Sequence, residues 1–392
     1  MVNGIYIMLG FKILTSLLGL SSLVYSRSTL PVSSNLHSRK RAPPSDPFQN
    51  IITGLYSVPP QLVIHDRSGN VHWSFSRNDV TQQLPGIIKN NLDSNADDAT
   101  EVKWINNGAS IAAVYGDLVV IINYRPGQSG DKEITFALPR GGTAFANTHT
   151  LEPLPGRKIA VSTTGERPWD GIIVYDANTP VANDPPPILQ NITGLRAAHG
   201  LLWDDTESIL WAAGNDAAAD GSDGLRANIT LKGYPFDQAS GQLNPTNSQT
   251  YKLPDPQQLQ TEWGPGYPWW SGPHDLVGVP NQRKVIISTD RDLHVFDLEK
   301  RQFTESGADV VNNYLQGFEA VGNRQNLPRS DVKSIGLSPD GAFVYVQTPW
   351  QQVQANETNV VANGSRNIIL PERSIYRSRF FANTPGFPKP GW

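Results

Sequence analysis

The stretch Gly272-Pro-His-Asp-Leu-Val-Gly-Val-Pro280, followed by KVIISTD from Lys284, decides the reading of this chain. One histidine opens a short apolar strand, and a second apolar strand follows after a turn. The same unit occurs twice upstream, as NTHTLEPLPGRKIAVSTTG from Asn147 and AAHGLLWDDTESILWAAG from Ala197. Two further units open with lysine, at Lys103 (KWINNG, then SIAAVYG) and Lys333 (KSIGLSPDG, then FVYVQTPW). The leading residues are spaced 46, 50, 75 and 59 apart. Each unit continues into a third and fourth strand, and one more set, NIITGLYS, QLVIHDRSG and NVHWSF, precedes them all.

Four short strands repeated at such a period specify a β-propeller. The second strand of each unit is a nearly unbroken apolar run, as a strand covered on both faces must be. The count is six blades, with five or seven left open. The C-terminal SIYRSRFF is expected to close the ring against the N-terminal set, because an open sheet edge there would invite aggregation. The first strand of each blade should line the central channel. Lys103, His149, His199, His274 and Lys333 are therefore expected to converge near one mouth, with Glu101, Glu152 and Asp275 nearby.

The whole chain agrees with this class. It has 392 residues, 38% hydrophobic and 17% charged, enough for a large core. Gly (34), Pro (31) and Trp (10) are plentiful, which suits many tight turns and aromatic packing. The net charge of −4 and the lack of a basic stretch in the body argue against a nucleic-acid partner. The first 26 residues read as a secretory signal peptide, and residues 27–41 as a disordered leader ending in the dibasic pair Lys40-Arg41. Residues 42–392 are then a single propeller domain, secreted, monomeric and without a stable membrane anchor. There is no cysteine, so no disulfide. Sequons at Asn191, Asn228, Asn356 and Asn363 suggest a glycoprotein.

Three imidazoles from equivalent positions suit two kinds of chemistry. They could hold a divalent metal such as Mn, Zn or Ca, leaving a position for water or substrate. Alternatively, one of His149, His199 and His274 acts as general acid or base while the others, with Lys103 and Lys333, hold an anionic substrate, Glu101 being a further candidate for substrate contact. The plainer reading is a set of polar residues capping a solvated channel. The loop EWGPGYPWWSGP, before His274, offers Trp263, Tyr267, Trp269 and Trp270 as surfaces on which a sugar ring could stack. His65, His72 and His294 read as structural.

The quoted His149, His199, His274 and Lys333 units resemble a family of secreted bacterial and fungal propellers known only as a domain of unknown function. The resemblance spans about residues 50–381. It implies the fold and no activity. A looser likeness, of architecture and residue type, is to propeller polysaccharide lyases of the oligogalacturonate lyase type, which gather histidines around an axial manganese. Together these readings give an enzyme acting on an acidic sugar or other carboxylated small molecule or oligosaccharide, lyase-like in chemistry. The alternatives are a non-catalytic binding propeller and a secreted tailoring enzyme of secondary metabolism.

Overall fold

The computed structural model describes residues 46–140, 147–164, 171–259, 269–324, 326–349 and 352–392, all within one compact unit from Arg41 to Trp392. The signal peptide, the leader and Lys40-Arg41 lie outside these residues. Six antiparallel sheets account for nearly all the regular structure. Their innermost strands are Ser374–Phe380 in blade 1, Glu101–Ile105 in blade 2, Thr148–Leu154 in blade 3, Arg196–Asp204 in blade 4, Pro273–Gly278 in blade 5 and Val332–Leu337 in blade 6. Each touches the next around the ring, and the last touches the first. The protein is a six-bladed β-propeller.

The strand chemistry follows position in the blade. Second strands such as Ser110–Tyr115 and Ile209–Asn215 are buried along their whole length, sandwiched between neighbouring blades. Outer strands such as Gln302–Ser306 alternate between exposed and half-buried. Side chains from adjacent blades interdigitate to form the core. Trp211, Val285, Ile287 and Phe296, for example, pack together between blades 4 and 5.

Ring closure matches the sequence expectation, since Ser374–Phe380 pairs antiparallel with Asn50–Tyr56. It has a consequence that the repeat did not convey. In blade 1 the channel is lined by the C-terminal strand, not by the first strand of the repeat, so Tyr376, Arg377 and Arg379 join the inner wall. Blade 6 is completed without that strand. Its third strand is Thr358–Ala362, and SIYRSRFF belongs to blade 1.

Beyond Phe381 the chain crosses three blades. The Asn281 amide of blade 5 donates to the Pro385 carbonyl at 2.9 Å, and Phe387 is buried among Leu202, Leu276 and Val285. Gly278 makes room for it, because a Cβ there would lie 2.3 Å from the Phe387 ring. Lys389 reaches Glu152, and the Trp392 indole donates to the Leu154 carbonyl of blade 3 at 3.0 Å. Among the described residues no helix is long and apolar enough to cross a membrane.

Candidate functional site

The polar residues of the repeat are placed by β-bulges. In blades 3, 5 and 6 the pairing of inner and second strands skips one inner residue, and that residue is His149, His274 or Lys333. In blade 4 it skips Ala197, Ala198 and His199 against Gly214 alone. A bulge re-aims the extra side chain away from the regular alternation. The result is a cluster. His149 and His199 have ring centroids 4.7 Å apart, and His199 and His274 5.7 Å. His149 also lies 5.1 Å from the Tyr376 ring, and the Lys333 ammonium is 6.0 Å from that ring and 2.8 Å from His274 Nε2.

Lys103 is not in this cluster. Blade 2 has no bulge, and its pairing runs unbroken from Glu101–Val114 to Ile105–Ser110. Lys103 therefore lies deeper along its strand than the repeat suggested. Its Nζ contacts Glu152 Oε2 at 2.6 Å and the Leu201 carbonyl at 2.8 Å. Glu101 is fully buried, accepting from Arg379 at 2.8 Å and from Thr150 Oγ1 at 3.0 Å. Asp275 accepts from Arg377 and Arg379, both at 2.7 Å. Burial works against ionisation of Asp275, but Arg379 and Arg377 prevail and hold its carboxyl down at about 2. Glu101, Asp275, Arg377 and Arg379 thus form a buried, compensated layer beneath the histidines. Arg377 also donates to the carbonyls of His199 at 2.8 Å and His274 at 2.7 Å, so it carries the backbone of the site.

A local device recurs two residues before three of the clustered side chains. Asn147, Ala197 and Asp331 all have left-handed backbone, with φ of 64°, 46° and 55°. Each also holds the residue two ahead. Asn147 Oδ1 lies 2.7 Å from His149 Nε2, the Ala197 carbonyl accepts from His199 Nδ1 at 2.8 Å, and Asp331 Oδ1 lies 3.4 Å from Lys333 Nζ. For an alanine this conformation costs about 1–2 kcal/mol, whereas asparagine and aspartate adopt it more readily. In blade 5 the holding group is Asp290, whose Oδ1 lies 2.9 Å from His274 Nε2 while its Oδ2 accepts from the Gly272 amide at 2.6 Å.

These anchors leave one nitrogen of each ring uncommitted. His149 Nδ1 and His274 Nδ1 are buried and have no hydrogen-bond partner among the described residues. His199, donating through Nδ1, keeps an Nε2 lone pair. Burial, then His199 and the Arg377 and Arg140 guanidiniums, hold His149 well below the ordinary histidine range. Burial, then His274, push His199 down to about 3. Both are neutral at pH 7; Arg377 disfavours the charged form of both rings, and Asp290 opposes that effect at His199. The Tyr376 hydroxyl is pushed up by burial.

For a metal, the three imidazoles offer the right ligand type but not the spacing. Among the described residues, the group whose ligand atoms lie within 4.8 Å of one another is His274, Asp290 and Asp331. Lys333 already supplies positive charge to that group, 2.8 Å from His274 Nε2 and 3.4 Å from Asp331 Oδ1.

Of the aromatic loop, Trp263 and Tyr267 lie outside the described residues. Trp269 and Trp270 are half-buried, and the Trp270 amide donates to the Ala219 carbonyl at 2.7 Å. Asn191, Asn356 and Asn363 are exposed, whereas Asn228 is half-buried and donates to Asp216 Oδ2 at 3.0 Å. His65 is buried between Thr53 Oγ1 and the Asp66 carbonyl, both at 2.9 Å, a structural role. Sequence reasoning missed Tyr376, Arg377, Asp290 and Asp331.

No family model matches the sequence, and no curated protein does. Solved structures do. The chain is similar to hydrazine synthase of Kuenenia stuttgartiensis (10% identity, 76% of this chain and 70% of that one, TM-score 0.42). It is similar to a functionally unknown protein from Desulfotomaculum acetoxidans (11% identity, 82% and 99%, TM-score 0.44). It is also similar to the dihydro-heme d1 dehydrogenase NirN in complex with DHE (15% identity, TM-score 0.38), where 85% of this chain covers 55% of that one. Alignments this loose speak to neither chemistry nor ligand.

Proposed function

We propose that the histidine cluster is the working site of a secreted enzyme that acts on a small carboxylated molecule, with acidic sugars the best-fitting class. The observation that carries this reading is the pair of buried, unpartnered ring nitrogens on His149 and His274, in a cluster where Lys333 stands against Asp290 and Asp331 and Arg377 against Asp275. Buried polar atoms without partners are rare, and a ligand is one of the few things that supplies the missing bond.

The chemistry that fits is elimination. Lys333 neutralises the substrate carboxylate, which acidifies the adjacent C–H. A neutral imidazole, His149 or His199, takes that proton. The electron pair forms a C=C bond, the C–O bond at the next carbon breaks, and the leaving oxygen takes a proton from water. A histidine held at about 3 is a weak base in the empty site. An anionic substrate nearby raises it, because an opposite charge within about 4–6 Å favours the protonated form. No step is assigned to a metal, since the imidazoles as placed do not converge on one point.

The test is calorimetry and product analysis with galacturonate oligomers against neutral galactose oligomers, alongside metal analysis of the purified protein. Binding of the uronate alone, with unsaturated product absorbing near the ultraviolet, supports the reading. Binding without product favours a non-catalytic binding propeller. Equal binding of the neutral sugar sinks the anion assignment.

A further inference from the structure

A cavity of about 620 Å³ lies between blades 4 and 5; none of the clustered side chains lines it, although Ser271 and Thr289 of its wall adjoin Gly272 and Asp290. Its size falls within the range of about 300–1,000 Å³ typical of small-molecule sites. Its apolar lining is Ile229, buried, and Leu253, Phe303 and Leu327, half-buried. Within it lies Ser271, only 3% exposed, whose hydroxyl is buried without a partner among the described residues. A buried hydroxyl facing an open cavity calls for a hydrogen-bonding group from outside.

The charges of the lining are one-sided. Carboxylates of Asp255, Asp292, Glu305 and Asp309 line the cavity, and Arg291 is the only cation among the described lining residues. Asp292 is taken up by Arg329 at 2.7 Å and Glu305 by Lys284 at 3.0 Å. Asp255 and Asp309 are exposed and have no ion-pair partner among the described residues. They come from different blades, Asp255 following the outer strand of blade 4 and Asp309 in the first turn of the helix Ala308–Tyr314 of blade 5.

We propose that this cavity is a second binding site, for an amphipathic organic cation. Its ammonium would sit between Asp255 and Asp309, its apolar body on Phe303 and Leu253, and a polar group at its far end would satisfy Ser271. The preference is opposite in sign to that of the histidine cluster. Probes of opposite charge therefore tell the two sites apart.

The test is calorimetry on the intact protein with three matched probes: tyramine, 3-(4-hydroxyphenyl)propionate and 4-(2-hydroxyethyl)phenol. Tyramine is expected to bind at least tenfold more tightly than the neutral alcohol, and the carboxylate not at all. Asp255→Asn with Asp309→Asn, both at exposed positions, should weaken tyramine about tenfold while a melt confirms that the variant is folded. Filling the cavity with Ser306→Trp should abolish binding, and His149→Ala should leave it unchanged. No tyramine binding, equal affinity for the three probes, indifference to the paired Asn substitutions, or sensitivity to His149→Ala would each overturn the proposal.

Discussion

Replacing Arg377 by methionine is the sharpest single perturbation of the inner wall. The guanidinium is fully buried, 2.7 Å from Asp275 Oδ1, 2.7 Å from the His274 carbonyl and 2.8 Å from the His199 carbonyl. Methionine keeps much of the volume and removes every one of these bonds. Asp275 retains Arg379, but two carbonyls lose their donor and a buried layer loses one of its cations. Breaking a buried pair by removing one partner costs about 3–5 kcal/mol. At about 2 °C per kcal/mol for a domain of this size, the melting temperature should fall by roughly 6–10 °C. A second readout separates this from a packing defect. Arg377 is among the groups that hold His149 and His199 low, so both should titrate at higher pH in the variant. Thermal melts and histidine proton NMR measure the two effects. A melt within 2 °C of the parent, with unmoved histidine titrations, would refute the view that Arg377 supports the site.

Four further outcomes are expected. Ala197→Gly should stabilise the protein by about 1 kcal/mol in urea melts, because glycine tolerates the φ of 46° that alanine resists. Anion binding should take up protons, since a bound negative charge raises His149 and His199; affinity should therefore strengthen as pH falls from 8 to 5, with heats that depend on the buffer's ionisation enthalpy. His65, buried and held at about 4 against an ordinary 6.5, should contribute stability that is full above pH 6.5 and is lost as pH falls toward 4, roughly 3 kcal/mol in all; His65→Gln should flatten that part of the pH–stability curve. Phe387→Ala should cost about 3–5 kcal/mol by emptying the space opposite Gly278, measured by chemical denaturation.

The fold was legible because a propeller repeats its own signature. Apolar second strands at each period mark the blades whatever their loops contain, and the closing strand SIYRSRFF could be read from the need to cover an edge. The site was only partly legible. His149, His199, His274 and Lys333 stand out as polar residues opening apolar strands, and a bulge at each does bring them together. Lys103 looked the same in sequence, yet its blade has no bulge, and bulges depend on pairing that no local pattern reveals. Tyr376 and Arg377 were hidden by the closure itself, which moves a C-terminal strand into the innermost place of blade 1. Asp290 and Asp331 act across turns and between blades. One signal was available for the anchors: an asparagine or aspartate two residues before His149 and Lys333, the residue types that accept left-handed backbone most readily.

The central claim is that the histidine cluster binds a carboxylated ligand, with one ring taking up a proton on its free nitrogen to donate to the carboxylate while another stays neutral. Titration of digalacturonate into the purified protein, with the parent, His149→Ala and His274→Ala compared in two buffers of different ionisation enthalpy, tests it most directly. The expected result is binding with proton uptake by the parent, loss of at least tenfold in affinity in each variant, and melting temperatures within a few degrees of the parent's. Binding that is unchanged in both variants, or that proceeds without proton uptake, would contradict it.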